Sequence, residues 1–439
     1  GFSMRVQTII EAGWVMPMTD KETVLPHHSI LINEGKIIGV VPTEETGPIQ
    51  ADEIVRLPDH IVLPGFVNAH THAPMHLLRG MGADLPLMDW LQTKIWPAEG
   101  KLMSHEFCYE GSLVAGAEMI ESGITCASDH YFFSEDVARG LTQAGLKCSV
   151  SGIVIGFPSA MAKTTDEYIA CAEALFERFQ NDTHVRVTVG PHAPYTVDDE
   201  ALIKVRQLAF KHEARIHMHV DETQSEIEGS LKQYGMRPIQ RLEKLGLLNE
   251  RFISVHTVHA DEKELELLAR AGASTVHCPC SNLKLASGFS PVAKMMAMGI
   301  NVAMGTDGVA SNDKVDLLGE TRLAAMLGKA VCQDTTQMKV ADMLYAATMG
   351  GAKALGWDDR IGSIEKGKDA DVIAIDLGNV DTLPIYDPAS QLLYSAGRED
   401  ITHVWVDGKL VVKKQQSIGL QPLTRENAQK ITKTWQNRI

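Results

Sequence analysis

The sequence predicts an α/β protein in which a (β/α)8 TIM barrel is combined with a small β-sandwich built from both chain ends. Three observations lead to this prediction. The 439 residues are too many for one small core and suit a barrel of about 250 residues plus a smaller unit. Short apolar runs alternate with helical patterns through the middle of the chain, and hairpin patterns occur at both ends.

These patterns divide the chain into three segments. Residues 4–60 are expected to form the N-terminal part of the β-sandwich, and residues 61–360 the barrel. Residues 361–439 are expected to form the C-terminal part of the sandwich and a C-terminal helix. In the NEGK turn, Gly35 supplies the positive φ that a tight hairpin needs, and the DG pair at Gly408 is a strong hairpin signal.

Eight apolar runs in the middle segment are the candidate barrel strands. They comprise residues 61–68, 124–128, 148–155, 185–190, 215–220, 252–256, 274–277 and 301–304. Parallel strands with intervening helices close into a barrel whose active site lies at the carboxyl ends of the strands. The residues that follow each strand are therefore the candidates for chemistry.

The composition is that of an ordinary globular protein, with 44% hydrophobic and 22% charged residues. A net charge of −15 argues against nucleic acid or an anionic membrane as a partner, because both attract basic surfaces. A small molecule stays possible as the binding partner, and a homo-oligomer stays possible as the state of assembly. The seven cysteines lie in apolar stretches without a disulfide pattern, and no secretion signal is evident, so we expect a cytoplasmic protein.

Histidine or carboxylate side chains follow four of the eight predicted strands. The first strand leads to His70 and His72, whose side chains point the same way because residues two apart share one face of a strand. The fifth ends near His219, the sixth ends in His256, and the eighth is followed by Asp307. Imidazole and carboxylate are the ligands that suit zinc, so these residues predict one divalent metal site.

Six motifs extend this pattern over nearly the whole chain. They are PGFVNAHTH at 64–72, GPHAPY at 190–195, HVDE at 219–222, SNLKL at 281–285, GTD at 305–307 and DAD at 369–371. As a set they resemble the amidohydrolase superfamily, in the branch that contains 5-methylthioadenosine/S-adenosylhomocysteine deaminases and related aminohydrolases. The resemblance implies a metal-dependent hydrolase of the TIM-barrel type.

The resemblance also assigns roles to individual residues. The implied metal ligands are His70, His72, His219 and Asp307. Glu222 is then the acid that carries the proton of the attacking water to the substrate ring, and His256 contacts that water. Asp307 also accepts the remaining proton and helps to expel ammonia. Both Glu222 and Asp307 are therefore substrate contacts as well as catalytic groups.

The resemblance further predicts one divalent ion per chain. Two-metal members of the superfamily bridge their ions with a modified lysine at the end of the fourth strand. This chain has no lysine between Lys163 and Lys204, and its fourth strand leads to His192 instead. Zn2+ is the expected ion, with Fe2+ and Mn2+ as alternatives.

Three further residues are implied substrate contacts. Glu99 resembles the family glutamate that holds the ribose hydroxyls, and a carboxylate suits a pair of hydroxyl donors. His192 corresponds to a family residue that contacts the substrate, with packing beside its neighbouring prolines as the alternative. Trp90 offers a flat surface to the ligand, although core packing is the commoner role of such an aromatic.

The predicted reaction is the hydrolytic deamination of a 6-aminopurine nucleoside to the 6-oxo nucleoside and ammonia. The alternatives within the branch are a guanine or other nucleobase deaminase and a triazine-type hydrolase, which share the metal set. A non-catalytic barrel scaffold is disfavoured, because it has no use for so many converging polar groups. The zinc deaminases of nucleic acids are disfavoured too, because Leu283 stands where their second cysteine is required.

The loop after the third strand bears on the substrate's tail. Some family members that accept S-adenosylhomocysteine present arginines from this loop, where a guanidinium can pair with the carboxylate of the amino acid. Residues 151–162 contain no arginine, and Arg79 is the alternative source of a cation. We therefore expect 5′-methylthioadenosine and adenosine to be better substrates than S-adenosylhomocysteine.

Overall fold

The computed structural model describes residues 4–414, 416–417 and 423–439, and its strands form two separate eight-stranded sheets. In chain order the strands are β1 (Arg5–Val15), β2 (Leu25–Asn33), β3 (Lys36–Pro42), β4 (Gln50–Pro64), β5 (Phe66–Thr71), β6 (Ile124–Asp129), β7 (Lys147–Val154), β8 (Val185–Pro191), β9 (Ile216–Val220), β10 (Phe252–His256), β11 (Ser274–His277), β12 (Asn301–Met304), β13 (Val372–Asp376), β14 (Ile401–Val406), β15 (Lys409–Lys413) and β16 (Gln416–Ser417).

Both chain ends contribute to one mixed sheet, which confirms the predicted β-unit. Its strand order is β16-β15-β14-β13-β4-β1-β2-β3, with β1 parallel to β4 and β13 antiparallel to β4. The two predicted turn glycines, Gly35 and Gly408, have φ values of 76° and 72°. Their hairpins meet at Ala370, whose N–H donates to Gly35 O at 2.9 Å and whose carbonyl accepts from Gly408 N at 3.0 Å.

Strands β5 to β12 follow one another in a parallel sheet, which confirms the predicted barrel. Side-chain and backbone hydrogen bonds just beyond β12 connect it to β5. Asn68 Nδ2 donates to Thr306 Oγ1 at 2.8 Å, and Asp307 N donates to the carbonyl of His70 at 2.9 Å. Barrel closure therefore brings Asp307 directly beside His70.

The first barrel strand differs from its prediction at residues 61–68. The run is divided: β4 ends at Pro64 and belongs to the terminal sheet, whereas β5 begins at Phe66. Ile61 to Pro64 pair with β13, and the N–H of Gly65 donates to Asp371 O at 3.0 Å. β4 therefore crosses the boundary expected after residue 60 and ends at Pro64. The division of the chain into 4–60, 61–360 and 361–439 stays a prediction.

Helices surround the barrel, and many begin at a side chain that accepts a backbone N–H, as Ser104, Thr164, Asp198 and Thr223 do. In chain order the α-helices are α1 (Leu87–Trp90), α2 (Trp96–Leu102), α3 (His105–Glu121), α4 (Ser134–Gln143), α5 (Thr165–Phe179), α6 (Asp199–His212), α7 (Gln224–Tyr234), α8 (Pro238–Lys244), α9 (Glu262–Ala271), α10 (Pro279–Lys284), α11 (Val292–Ala297), α12 (Val309–Asn312), α13 (Leu317–Cys332), α14 (Val340–Tyr345), α15 (Gly351–Leu355), α16 (Pro388–Tyr394) and α17 (Arg425–Gln436).

Short 3-10 helices span Thr43–Glu45, Ala73–Leu78 and Arg398–Asp400, and π-helical turns span Leu91–Ile95 and Ala346–Gly350. None of the described helices combines the length and the apolar character that crossing a bilayer requires. The seven cysteines are all free thiols.

A buried lysine joins the barrel to the terminal sheet. The side chain of Lys147, at the start of β7, is 0% exposed and lies 2.7 Å from both Asp371 Oδ2 and Asp407 Oδ1. A third carboxylate, Asp369 Oδ2, lies at 3.2 Å. Burial alone lowers the pKa of Lys147, but the three aspartates outweigh it and raise this pKa above its usual value. Because Lys147 lies at the amino end of its strand, this junction is at the opposite end of the barrel from the predicted site.

Candidate active site

The four predicted metal ligands meet at the carboxyl ends of the barrel strands. His70 lies in β5, His72 directly follows it, His219 lies in β9 and Asp307 follows β12. His70 Nε2 and His72 Nε2 lie 3.3 Å and 3.1 Å from Asp307 Oδ1. His219 Nε2 lies 3.3 Å from His72 Nε2. One nitrogen from each of three imidazoles and one carboxylate oxygen therefore face the same point.

Hydrogen bonds to the opposite ring nitrogens orient the imidazoles. His72 Nδ1 donates to the carbonyl of His130 at 2.5 Å, and His219 Nδ1 donates to the carbonyl of His192 at 2.6 Å. His70 Nδ1 lies 2.7 Å from Nε2 of His217. Bonds of this kind leave each Nε2 with a free lone pair toward the shared point, as metal-binding histidines require.

These residues fit a divalent ion. His70 Nε2 is buried and has no hydrogen-bond partner, although buried polar atoms are rarely left without one. Nitrogen atoms of His70, His72 and His219 lie within 4.8 Å of one another, as do the ligand atoms of His70, His256 and Asp307. Three neutral imidazoles and a carboxylate are a donor set that suits zinc and leaves a position for water.

The charge of Asp307 determines the electrostatics of the candidate ligands, and it favours a cation at their centre, either a proton on His72 or a metal ion. Burial lowers the pKa of His70 to about 3, so its imidazole is neutral at pH 7. Burial alone raises the pKa of Asp307, but the neighbouring imidazoles of His70 and His72 hold this pKa well below its usual value. Burial also opposes protonation of His72, yet Asp307 raises the pKa of that imidazole to about 9. Asp307 is therefore the anion around which the histidines gather.

Glu222 and His256 form a second pair beside the candidate ligands. Glu222 Oε2 lies 3.5 Å from His256 Nε2, which in turn lies 3.5 Å from Asp307 Oδ2. Burial raises the pKa of the Glu222 carboxyl, and the neighbouring imidazole of His256 partly opposes this rise. A carboxyl group that ionises reluctantly beside a polar cavity is suited to carry a proton both ways.

The backbone is unusual at three of these positions. Asp307, His256 and Asp221 have φ values of 57°, 74° and 55°, a region that side chains with a Cβ rarely adopt. Strained residues cluster at functional sites, where the surrounding structure holds them in place. Their location at three strand ends marks the barrel mouth as the site.

A cavity of about 580 Å³ opens over these groups, and all the predicted substrate contacts line it. Glu99 is half-buried in its wall, and Trp90 is 5% exposed with Nε1 donating to the carbonyl of Met81 at 3.0 Å. His192 Nδ1 lies 2.9 Å from Thr196 Oγ1. Most of the remaining wall is apolar: Met75, Leu87, Leu91, Ile95, Trp96, Met103, Phe132, Ile153, Ile155, Phe157, Pro158, Ala160 and Leu285.

Two neighbours of these residues were not predicted from the sequence. Tyr131 lines the cavity, and its hydroxyl donates to Glu99 Oε2 at 2.6 Å. His217 is fully buried and contacts His70 with Nε2 and Ser128 Oγ with Nδ1, at 2.7 Å and 3.1 Å. Tyr131 follows β6, so its place at a strand end is the signal that could have found it. His217 lies on β9 two residues before His219, where side chains share a face.

Comparison with known proteins agrees with the geometry. A model described as Amidohydrolase family matches residues 61–411. A 5-methylthioadenosine/S-adenosylhomocysteine deaminase of Teredinibacter turnerae is 39% identical over 431 residues, covering 98% of this chain and 97% of that protein. The crystal structure of an adenosine deaminase from Xanthomonas campestris with bound zinc is 42% identical, with a TM-score of 0.97 over 100% of this chain and 99% of that one.

A more distant structure shares the fold alone. The atrazine chlorohydrolase of Arthrobacter aurescens, complexed with zinc, is 23% identical and has a TM-score of 0.90. It covers 98% of this chain and 100% of its own.

Proposed function

Because the chain belongs to the amidohydrolase family, we propose that it uses the site at the barrel mouth to deaminate adenosine-type nucleosides. The protein is a hydrolase of C–N bonds: water replaces the 6-amino group of the purine, and the products are the 6-oxo nucleoside and ammonia. The observation that carries the proposal is the convergence of His70, His72, His219 and Asp307 beside Glu222 at the base of one open cavity.

The protein depends on a divalent metal, and we propose one Zn2+ per chain held by His70, His72, His219 and Asp307. When bound, the ion supplies positive charge that lowers the pKa of water to about 7. No lysine lines the cavity among the described residues, and β8 ends at Pro191 beside His192. These features support a single ion, which elemental analysis of the purified protein tests directly.

The side chains around the cavity account for the proton transfers. Glu222 takes one proton from the attacking water and gives it to the ring nitrogen next to the attacked carbon. His256, 3.5 Å from both Glu222 and Asp307, holds the water between them by a hydrogen bond. Asp307 accepts the second proton and passes it to the departing amine, which leaves as ammonia. Trp90 and His192 present wall surface to the purine and its sugar.

The nucleoside, rather than a free base, is favoured by Glu99. Its carboxylate lies in the cavity wall and accepts a hydrogen bond from Tyr131, an arrangement that fits a pair of ribose hydroxyls. A guanine deaminase or a triazine hydrolase has no need of such a group, because their substrates lack a sugar. The seven free thiols fit a reducing compartment, and we propose the cytoplasm as the place of the reaction.

A substrate panel with ammonia release as the readout tests the proposal. Adenosine and 5′-methylthioadenosine should be converted to their 6-oxo products, whereas guanine and s-triazines should not. Turnover of a free base or a triazine in preference to every nucleoside would show that the site has been assigned to the wrong substrate class.

Removing the hydroxyl of Tyr131 should weaken the recognition of ribose. Burial raises the pKa of Glu99 to about 7 although the hydrogen bond from Tyr131 opposes this rise, so Tyr131→Phe leaves a carboxyl group that is both looser and harder to ionise. A hydrogen bond to a charged group is worth about 1.5–3 kcal/mol, so kcat/KM for adenosine should fall by about 10-fold or more. The check is kcat/KM for 2′-deoxyadenosine, which lacks one of the two hydroxyls. The substitution should lower this value less than it lowers the value for adenosine.

S-adenosylhomocysteine should be the poorest of the three adenosine derivatives. No lysine or arginine lines the cavity among the described residues, and Arg79 is paired with Glu118 instead. The loop after β7 contributes apolar surface, with the rings of Phe157 and Trp96 5.4 Å apart. An unpaired carboxylate on this surface costs on the order of several kcal/mol, so kcat/KM should fall about 100-fold below that of 5′-methylthioadenosine.

The variant Ala160→Arg supplies a matched test of this explanation. Ala160 is exposed at the cavity wall, so an arginine there can offer a guanidinium to the tail carboxylate. In this variant kcat/KM for S-adenosylhomocysteine should rise relative to kcat/KM for 5′-methylthioadenosine. Equal kcat/KM values for the two nucleosides with the unaltered protein would contradict the prediction, because the tail would then be recognised or left in solvent.

A further inference from the structure

A buried glutamate outside the active-site cavity holds the loop that carries Glu222. Glu226 lies in the first turn of α7 and is 5% exposed. Its Oε2 accepts the N–H of Asp221 at 2.6 Å, and its Oε1 accepts the N–H of Glu222 at 3.3 Å. Two successive backbone N–H groups converge on the two oxygens of one carboxyl group, so a side chain of the same chain occupies the compact site that they form.

The backbone at this point requires such support. Asp221 has a φ of 55°, a left-handed conformation that is unfavourable for a residue with a Cβ. The turn directs the side chain of Glu222 back toward His256, 3.5 Å away. Without the Glu226 carboxylate, the N–H groups of Asp221 and Glu222 lose the acceptor that they have in the structure, and the turn loses its fixed conformation.

The position of Glu226 is itself fixed by the helix. Thr223 Oγ1 accepts the N–H of Glu226 at 3.2 Å and so caps the start of α7. The Glu226 backbone is thereby tied to a regular element, while its side chain reaches back over the loop. The next carboxylate along this helix, Glu228, is exposed and reaches no such partner in the structure.

We propose that Glu226 is a positioning residue for catalysis, which places the Glu222 carboxyl for proton transfer by binding the N–H groups of Asp221 and Glu222. The proposal rests on the role proposed for Glu222 as the proton carrier. Glu226 does not line the active-site cavity, so its effect reaches the substrate only through Glu222. A role limited to capping α7 makes a different prediction, because it affects folding alone.

The variant Glu226→Gln separates these roles. Glutamine keeps the shape of the side chain, but it offers one acceptor oxygen and places an NH2 group against the second N–H. A catalytic group displaced by about 1 Å can cost about 100-fold in rate, so kcat should fall between about 10-fold and 100-fold with little change in KM. The metal content should equal that of the unaltered protein. Glu228→Gln, the same chemical change two residues away on an exposed position, should leave kcat unchanged.

A double-mutant cycle with Glu222→Gln decides whether the effect passes through Glu222. Residual turnover should be the same in Glu222→Gln and in the double variant, because a positioning residue has nothing left to position. An equal loss from Glu226→Gln in both backgrounds overturns the proposal, and so does an unchanged kcat in the single variant. Full activity of Glu222→Gln alone refutes the assigned function instead. If Glu226→Gln does not fold, Glu226→Asp, which withdraws the carboxylate by one methylene, takes its place in the cycle.

Discussion

Replacing Glu222 by glutamine should lower kcat by about 10²–10⁴-fold while the protein keeps its metal. The carboxyl group lies 3.5 Å from His256 and is buried at the cavity floor, where it can receive a proton from water and return it to the purine ring. Glutamine has the same shape and cannot accept that proton. Steady-state kinetics with adenosine and elemental analysis of the same preparation measure the two halves of the prediction.

The loss must be specific to position 222. Glu228→Gln again serves as the control, because the Glu228 side chain is exposed on α7 and the substitution makes the same change of charge. Near-normal turnover in Glu222→Gln would refute the assigned acid–base role. Loss of the metal in this variant would instead place Glu222 among the ligands, contrary to the geometry around Asp307.

The sequence was sufficient to find the candidate site because a barrel gathers the carboxyl ends of its strands at one mouth. His70, His72, His219, His256 and Asp307 were singled out because they end or follow predicted strands, and the family resemblance then implied their roles; the structure brings them together. Strands 252–256, 274–277 and 301–304 were predicted at their observed bounds, since each is a short apolar run between clear helical patterns.

The supporting contacts could not be predicted in this way. Tyr131 and Glu99 are joined by a hydrogen bond between a strand end and a helix, and His217 contacts His70 across the barrel. Glu226 supports a turn whose positive φ at Asp221 no local sequence rule indicates, since that residue is not a glycine. Each contact depends on which elements become neighbours, which only the folded chain determines.

The misplaced first strand has a similar origin. Residues 61–68 form one apolar run, but the chain passes from one sheet to the other at Gly65, where the side chain of Thr125 lies against the glycine backbone. A Cβ at this position would lie 2.0 Å from Thr125 Oγ1, so only glycine fits here. Hydrophobicity marks both flanking segments as buried and cannot tell that each belongs to a different sheet.

Replacing His219 by alanine should remove the metal and with it nearly all turnover. His219 Nε2 lies 3.3 Å from His72 Nε2, and its Nδ1 donates to the carbonyl of His192, so its lone pair is directed at the shared point. Without one of its four ligands the site should no longer hold the ion, which stabilises the charge of the transition state by several kcal/mol. Turnover should therefore fall about 10³-fold or more.

Elemental analysis separates this outcome from a general loss of structure. The unaltered protein should contain one ion per chain and His219→Ala far less, whereas His212→Ala should match the unaltered protein. His212 is the proper comparison, because it is a partly buried imidazole on α6 that contacts Glu173 rather than the cavity. Full metal content in His219→Ala would mean that the ion is held elsewhere. Two ions per chain in the fully active enzyme would contradict the single site, because the described cavity wall offers no lysine to bridge a second ion.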